Sequence, residues 1–138
     1  MSKVYSLDFK VRDYELDQYG VVNNAVYLNY LEHARHEFLH TLGIDPAAVA
    51  GSGQSLALSE LHIRFRSPLR SREFFRVEVA IGEVRGARVA IDQRIVSQPD
   101  GRMVLTARAV AVFLDERARP LRVDPLHRAA FQPYLSEA

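Results

Sequence analysis

The stretch Asp17-Gln18-Tyr19-Gly20-Val21-Val22-Asn23-Asn24-Ala25-Val26-Tyr27 decides how this chain is read. It sets one carboxylate a few residues ahead of an apolar helix, with a glycine and a short apolar run between and two asparagines at the helix entrance. Asparagine is a preferred N-cap. A helix N-terminus offers unpaired backbone N–H groups and a partial positive charge, so it can hold an oxyanion. A carboxylate beside it can attack a carbonyl held there, or activate water to do so.

Downstream, the spacing predicts a helix from about Asn24 to Leu42, closed by Gly43 as a C-cap. Tyr27, Leu28, Leu31, Ala34, Phe38, Leu39 and Leu42 form one broad apolar arc on its wheel. So wide an arc predicts a helix covered over much of its circumference, as when a sheet wraps it. Upstream, Tyr5, Leu7, Phe9 and Val11 alternate with polar residues, a half-buried strand within Val4 to Asp13. Asp45 to Gln54 reads as a loop with a short helical turn at Pro46 to Ala50.

Four strand-like runs follow: Leu61 to Phe65, Phe75 to Ile81, Val89 to Ile95 and Leu105 to Leu114. The last is apolar on both faces and reads as a central strand. Its Ala107, Ala109 and Ala111 would let a helix approach closely. Arg85-Gly86 and Pro99-Asp100-Gly101 read as hairpin turns, and Asp124-Pro125 opens a short helix toward Leu135. The order of strand, long helix and four antiparallel strands is an α+β architecture, one domain over residues 1–138.

Composition narrows the classes. The chain is 48% apolar and 25% charged, with net charge +1, so bulk attraction to nucleic acid or anionic membrane is not indicated. Cysteine is absent, which excludes disulfides, thiolate metal sites and a Cys nucleophile. There is no apolar run of about 20 residues, and a cytoplasmic protein is the expectation. Only Lys3 and Lys10 among the 18 basic residues are lysine. Arginine suits bidentate recognition of phosphate or carboxylate, although a GC-rich genome gives the same bias. No Gly-x-Ser-x-Gly element or Gly-rich phosphate loop is present.

The pattern resembles the hotdog fold, in which a curved five-stranded antiparallel sheet wraps a long central helix. Asp17 to Tyr27, followed by Tyr30-Leu-Glu-His-Ala-Arg-His-Glu-Phe-Leu39, is similar to the 4-hydroxybenzoyl-CoA thioesterase-like family. Ser59-Glu60-Leu61 and Ser67-Pro68-Leu69-Arg70 resemble its plant plastid acyl-lipid thioesterases and their bacterial relatives. The resemblance implies hydrolysis of an acyl-CoA or acyl carrier protein (ACP) thioester by a homodimer or homotetramer, with no cofactor. The family's catalytic acid maps onto Asp17 and its oxyanion donor onto the backbone N–H of Asn24. The aromatic-acyl branch has tyrosine where this chain has Asn24, which favours a fatty-acyl or β-ketoacyl substrate. Many relatives have histidine where this chain has Val22.

Other candidates carry plainer readings beside the sharp ones. Asp17 can be a turn residue, and Asn23 and Asn24 can be caps that also serve the site. Tyr27 belongs to the motif and is taken as substrate-binding. Arg35 lies in the apolar arc, either snorkelling at a subunit interface or anchoring the active loop or a polar substrate group. Glu60 can line the acyl site or be a strand-edge carboxylate. Arg64, Arg66, Arg70 and Arg72 around Ser67-Pro68, and Arg85 and Arg88 around Gly86, suit the phosphates of CoA or an acidic carrier protein, or a solvated face. Of these, Arg66 and Arg88 are the substrate-binding candidates. His33, His36 and His40 with Glu37 have metal-like spacing, yet lie opposite the arc, so a solvated face is expected and no metal is needed. The rival functions are a hotdog hydratase or dehydratase, which lacks its histidine between residues 17 and 24, and a non-catalytic acyl-CoA binding module.

Overall fold

A computed structural model describes residues 2–44 and 53–136. The helical turn expected at Pro46 to Ala50 lies outside them. Strand β1 spans Tyr5–Lys10 and helix α1 spans Asn24–Thr41, 18 residues. Strands β2 (Ser55–Phe65), β3 (Phe74–Arg85), β4 (Arg88–Gln98) and β5 (Met103–Leu114) follow, then helix α2, Pro125–Phe131. The five strands form one sheet in the order β1-β3-β4-β5-β2, every neighbouring pair antiparallel. The β5 strand is interior, as its two apolar faces predict, though β4 holds the middle.

Period-two alternation gives the sheet two distinct faces. Phe75, Val77, Val79 and Ile81 of β3, with Ile91 and Ile95 of β4, are buried toward α1. Burying each such side chain is worth about 1.5–3 kcal/mol. On the opposite face, ion pairs join neighbouring strands, Asp8 to Arg76, Glu78 to Arg94 and Asp92 to Arg108, while Glu60 of β2 reaches across β5 to Arg88 of β4. Both turns read from sequence are hairpins; Arg85 pairs with Arg88 across Gly86, whose φ is +62°. The first strand ends sooner than its alternation suggests. Glu15 draws the Arg12 amide onto its carboxylate and starts a single 3-10 turn, Asp13–Glu15.

Helix α1 starts with the Asn23 side chain accepting from the Ala25 amide, and Gly43 follows it at φ +76°. Tyr27, Leu31, Ala34, Phe38 and Leu39 are buried, as the arc requires. Leu28 departs from it, with 40% of its surface exposed. Tyr30, outside the predicted arc, is buried because Glu15 accepts its hydroxyl. Its ring packs on Phe75 at 4.7 Å, and Phe9 stacks on Phe75 at 5.1 Å. Ala107, Ala109 and Ala111 are buried on the inner face. Helix α2 has Asp124 as its N-cap and Pro125 at its start, as read from sequence.

Candidate active site

Asp17 is half-buried in a tight loop that its own side chain organises. Its Oδ1 accepts the Tyr19 amide at 2.8 Å and the Val21 amide at 3.4 Å. Its backbone N–H donates to the Val21 carbonyl at 2.8 Å, and a bridge pairs Leu16 with Val22. Gly20, at φ +75°, makes the reversal. One carboxylate oxygen is thus tied to the loop, and Oδ2 holds no hydrogen bond among the described residues.

Three fasteners fix this loop to the start of α1. The Glu15 carbonyl accepts the Asn23 amide at 2.9 Å, while the Glu15 carboxylate accepts from Tyr30 Oη and the Arg12 amide, each at 2.8 Å. The Leu69 carbonyl accepts the Val22 amide at 2.9 Å. The Leu69 amide donates to Tyr27 Oη at 3.0 Å. Arg102 in turn grips the segment before Leu69: it donates to Ser67 Oγ, the Pro68 carbonyl and the Glu73 carboxylate at 3.0–3.1 Å.

At the helix start, the Ala25 amide is taken by Asn23 Oδ1 and the Val26 amide by the Asn23 carbonyl, both at 2.9 Å. The Asn24 amide, between Asn23 and those two, finds no acceptor among the described residues. It is the donor of the first turn that stays open to a ligand. Asn23 and Asn24 are both exposed.

The phenols nearby stay protonated. Burial pushes Tyr30 up, and its bond to the Glu15 carboxylate pushes it further. Burial also raises Tyr27; the Leu69 amide opposes this, and the charges of Glu73 and Asp17 add to it. Tyr27 is 3% exposed with its hydroxyl taken by Leu69, so it holds the loop and does not present a free surface.

The other sequence-predicted residues scatter. Arg35 is buried at 9% exposure beneath the middle of α1, where its Nη1 donates to Gln93 Oε1 at 3.1 Å. Gln93 Nε2 donates onward to the Leu31 carbonyl at 3.0 Å. Burial lowers the guanidinium's affinity for its proton, and Glu32 partly restores it. A cleft of about 220 Å³ opens beside Arg35, lined also by Leu39, Leu56, Leu58, Ala109 and Ala111. Glu60 and Arg88 are not brought to Asp17; they pair at 2.7 Å on the sheet's outer face, because the β2 register turns Glu60 away from α1. Arg66, Arg70 and Arg72 are exposed around the turn that carries Leu69, and Arg70 bridges Val21 of the Asp17 loop. His33, His36 and His40 are exposed, and the described residues hold no metal-ligand cluster.

A concavity of about 840 Å³ lies elsewhere, on the outer face over Glu78, Asp92, Arg94 and Arg108. Glu78 pairs with Arg94 and Asp92 with Arg108 there, and none of the loop residues lines it. Sequence reasoning missed Glu15 and Arg102, the two side chains that brace the loop. Glu15, three residues after Arg12, returns to its amide as in one half of a capping box, while Arg102 directly follows the Pro99-Asp100-Gly101 turn and carries no local signal.

A model of the thioesterase-like superfamily matches residues 11–137. A chloroplastic acyl-ACP thioesterase of Arabidopsis thaliana is 47% identical over 99% of this chain and 72% of its own length. A long-chain acyl-CoA thioesterase of Escherichia coli is 29% identical over 77% of this chain and 80% of its own. Among solved structures, a 1,4-dihydroxy-2-naphthoyl-CoA thioesterase from Synechocystis superposes with TM-score 0.88 at 17% identity, covering 94% of this chain and 96% of that one. A Staphylococcus aureus protein in complex with CoA gives 0.89 at 13%, covering 100% and 90%. These two share the fold.

Proposed function

This chain belongs to the thioesterase-like superfamily and hydrolyses acyl thioesters, and from that premise we propose that Asp17 and the first turn of α1 carry the reaction. The thioester carbonyl oxygen accepts the Asn24 amide. Asp17 Oδ2 either attacks the carbonyl carbon, giving an acyl-enzyme anhydride that water then cleaves, or takes a proton from an attacking water. Negative charge builds on the carbonyl oxygen, and the open amide with the helix dipole stabilises it. The tetrahedral adduct collapses by expelling the thiolate, which is protonated to the free thiol. The observation that carries this reading is the Asn24 amide at the helix entrance, unclaimed among the described residues and held on the same braced segment as a carboxylate whose Oδ2 is likewise unclaimed there.

The substrate we propose is a fatty-acyl or β-ketoacyl group on CoA or ACP. Arg66, Arg70 and Arg72 support a phosphate-bearing or acidic carrier: all three are exposed beside the Asp17 loop and form no ion pair among the described residues. The working unit we propose is a homodimer or homotetramer, in which Leu28, Leu58 and Phe65, exposed by 40–52%, meet a second copy and complete the enclosure of α1.

Thiol release from a panel of acyl-CoA and acyl-ACP substrates tests the mechanism. Asp17→Asn should lower kcat by about 10²–10⁴ with an unchanged melting temperature. Turnover equal to wild type would reject Asp17 as the reacting group.

A further inference from the structure

We propose that Arg35 sets the longest acyl chain this enzyme accepts, by ending the apolar strip that runs from the Asn24 amide. The inference rests on the thioesterase reading above. Asn24 and Arg35 are eleven residues apart on one helix, which is about three turns and leaves them within about 20° of each other on the wheel. Leu28 lies on the same stripe and is exposed.

Strand β2 runs antiparallel beside that stripe. Its Phe65 ring meets Tyr27, in the first turn of α1, at 5.5 Å. Its Leu56 and Leu58 line the cleft with Arg35 and Leu39. Half-buried Leu61 and Ile63 lie between, on the same inner face. An apolar strip therefore leads from the candidate oxyanion donor to the cleft, and a cation ends it.

That cation is unusual in its company. Arg35 forms no ion pair among the described residues, and its hydrogen-bond partner is the neutral amide of Gln93. The cleft around it is otherwise walled by Leu39, Leu56, Leu58, Ile91, Ala109 and Ala111, with Glu32 and His36 on the helix side. A methyl terminus pushed against this guanidinium would remove its remaining water and offer nothing in return. An acyl chain that stops short loses nothing.

The reach follows from helix geometry. Asn24 to Leu31, whose carbonyl Gln93 holds, is about 10 Å, and Asn24 to Arg35 about 16 Å, at 1.5 Å per residue. An extended alkyl chain advances about 1.25 Å per carbon, given bonds of about 1.5 Å in a zigzag. The stop therefore falls between about 8 and 13 carbons.

The test is kcat/KM for thiol release across saturated acyl chains of increasing length, on wild type, Arg35→Met and Arg35→Lys. In the wild type, kcat/KM should rise by up to about fourfold per added methylene and then fall once the chain meets Arg35. Arg35→Met replaces the buried charge with an apolar side chain, a change that such sites tolerate. It should raise the ratio of long-chain to medium-chain kcat/KM and move the optimum to longer chains. Arg35→Lys should keep the wild-type limit. Ala109→Leu fills the same cleft from β5 and should shorten the limit. Wild-type activity with an unshifted profile in Arg35→Met or Ala109→Leu overturns the role of Arg35 and leaves the hydrolase standing. No thiol release from any chain length in wild type overturns the hydrolase reading itself.

Discussion

Glu15 is where a single side chain does most for the site. It is 6% exposed, and its carboxylate accepts from a buried phenol and a part-buried backbone amide that have no other acceptor among the described residues. Glu15→Ala should cost about 2–4 kcal/mol in denaturant unfolding, since each buried group left unsatisfied costs about 1–3 kcal/mol. It should also lower kcat by freeing the Asp17 loop. Tyr30 gives a pH dependence of definite sign. Its folded-state pKa is raised by burial and by Glu15. The folded chain keeps the phenol proton that the unfolded chain releases near pH 10. The stability from the protonated phenol is therefore intact below about pH 10 and is lost as the pH climbs above it. Tyr30→Phe should flatten the decline of melting temperature in alkali relative to wild type. The turn at Asp17 and the helix cap at Asn23 were legible in the sequence because turn and cap chemistry is local. Glu15 was not, because its partners Tyr30 and Asn23 come close only once the chain has turned back.

At the scale of the element, the entrance of α1 can be altered without altering the helix. Proline is well tolerated at the first helical position and has no N–H. Asn23, with φ −59° and ψ 136°, already has the conformation a following proline requires. Asn24→Pro should therefore keep the helix, checked by circular dichroism, while lowering kcat by about 10²–10³ through loss of one donor. Asn24→Ala keeps the amide and should retain most of the activity. An active proline variant would show that the donor lies elsewhere. Strand boundaries are less legible than strand existence: the alternation predicts β2 from Leu61, and the strand starts at Ser55. A register shift between Leu58 and Glu60 breaks its alternation, and period-two reading cannot cross it. The bulge also separates the expected role of Glu60 from its observed one, since it fixes which residues of β2 face α1.

At the scale of the whole molecule, β2 is an edge strand, its 11 residues pairing on one side with β5 and on the other with nothing among the described residues. Long exposed edges with apolar side chains invite a partner. Light scattering should report a dimer or tetramer, and Phe65→Glu should shift the mass toward monomer and reduce turnover together. The architecture was legible because a broad apolar arc followed by four alternating runs leaves few ways to bury both. The braces were not, because they join remote segments. Glu15 precedes the helix, Leu69 links β2 to β3, and Arg102 lies between β4 and β5. Contacts this distant in sequence carry a larger loop-closure cost than local ones. A chain still emerging from the ribosome carries Asp17 and the entire helix well before Arg102 arrives. Of the side chains that brace the loop, Arg102 is thus the last that synthesis delivers.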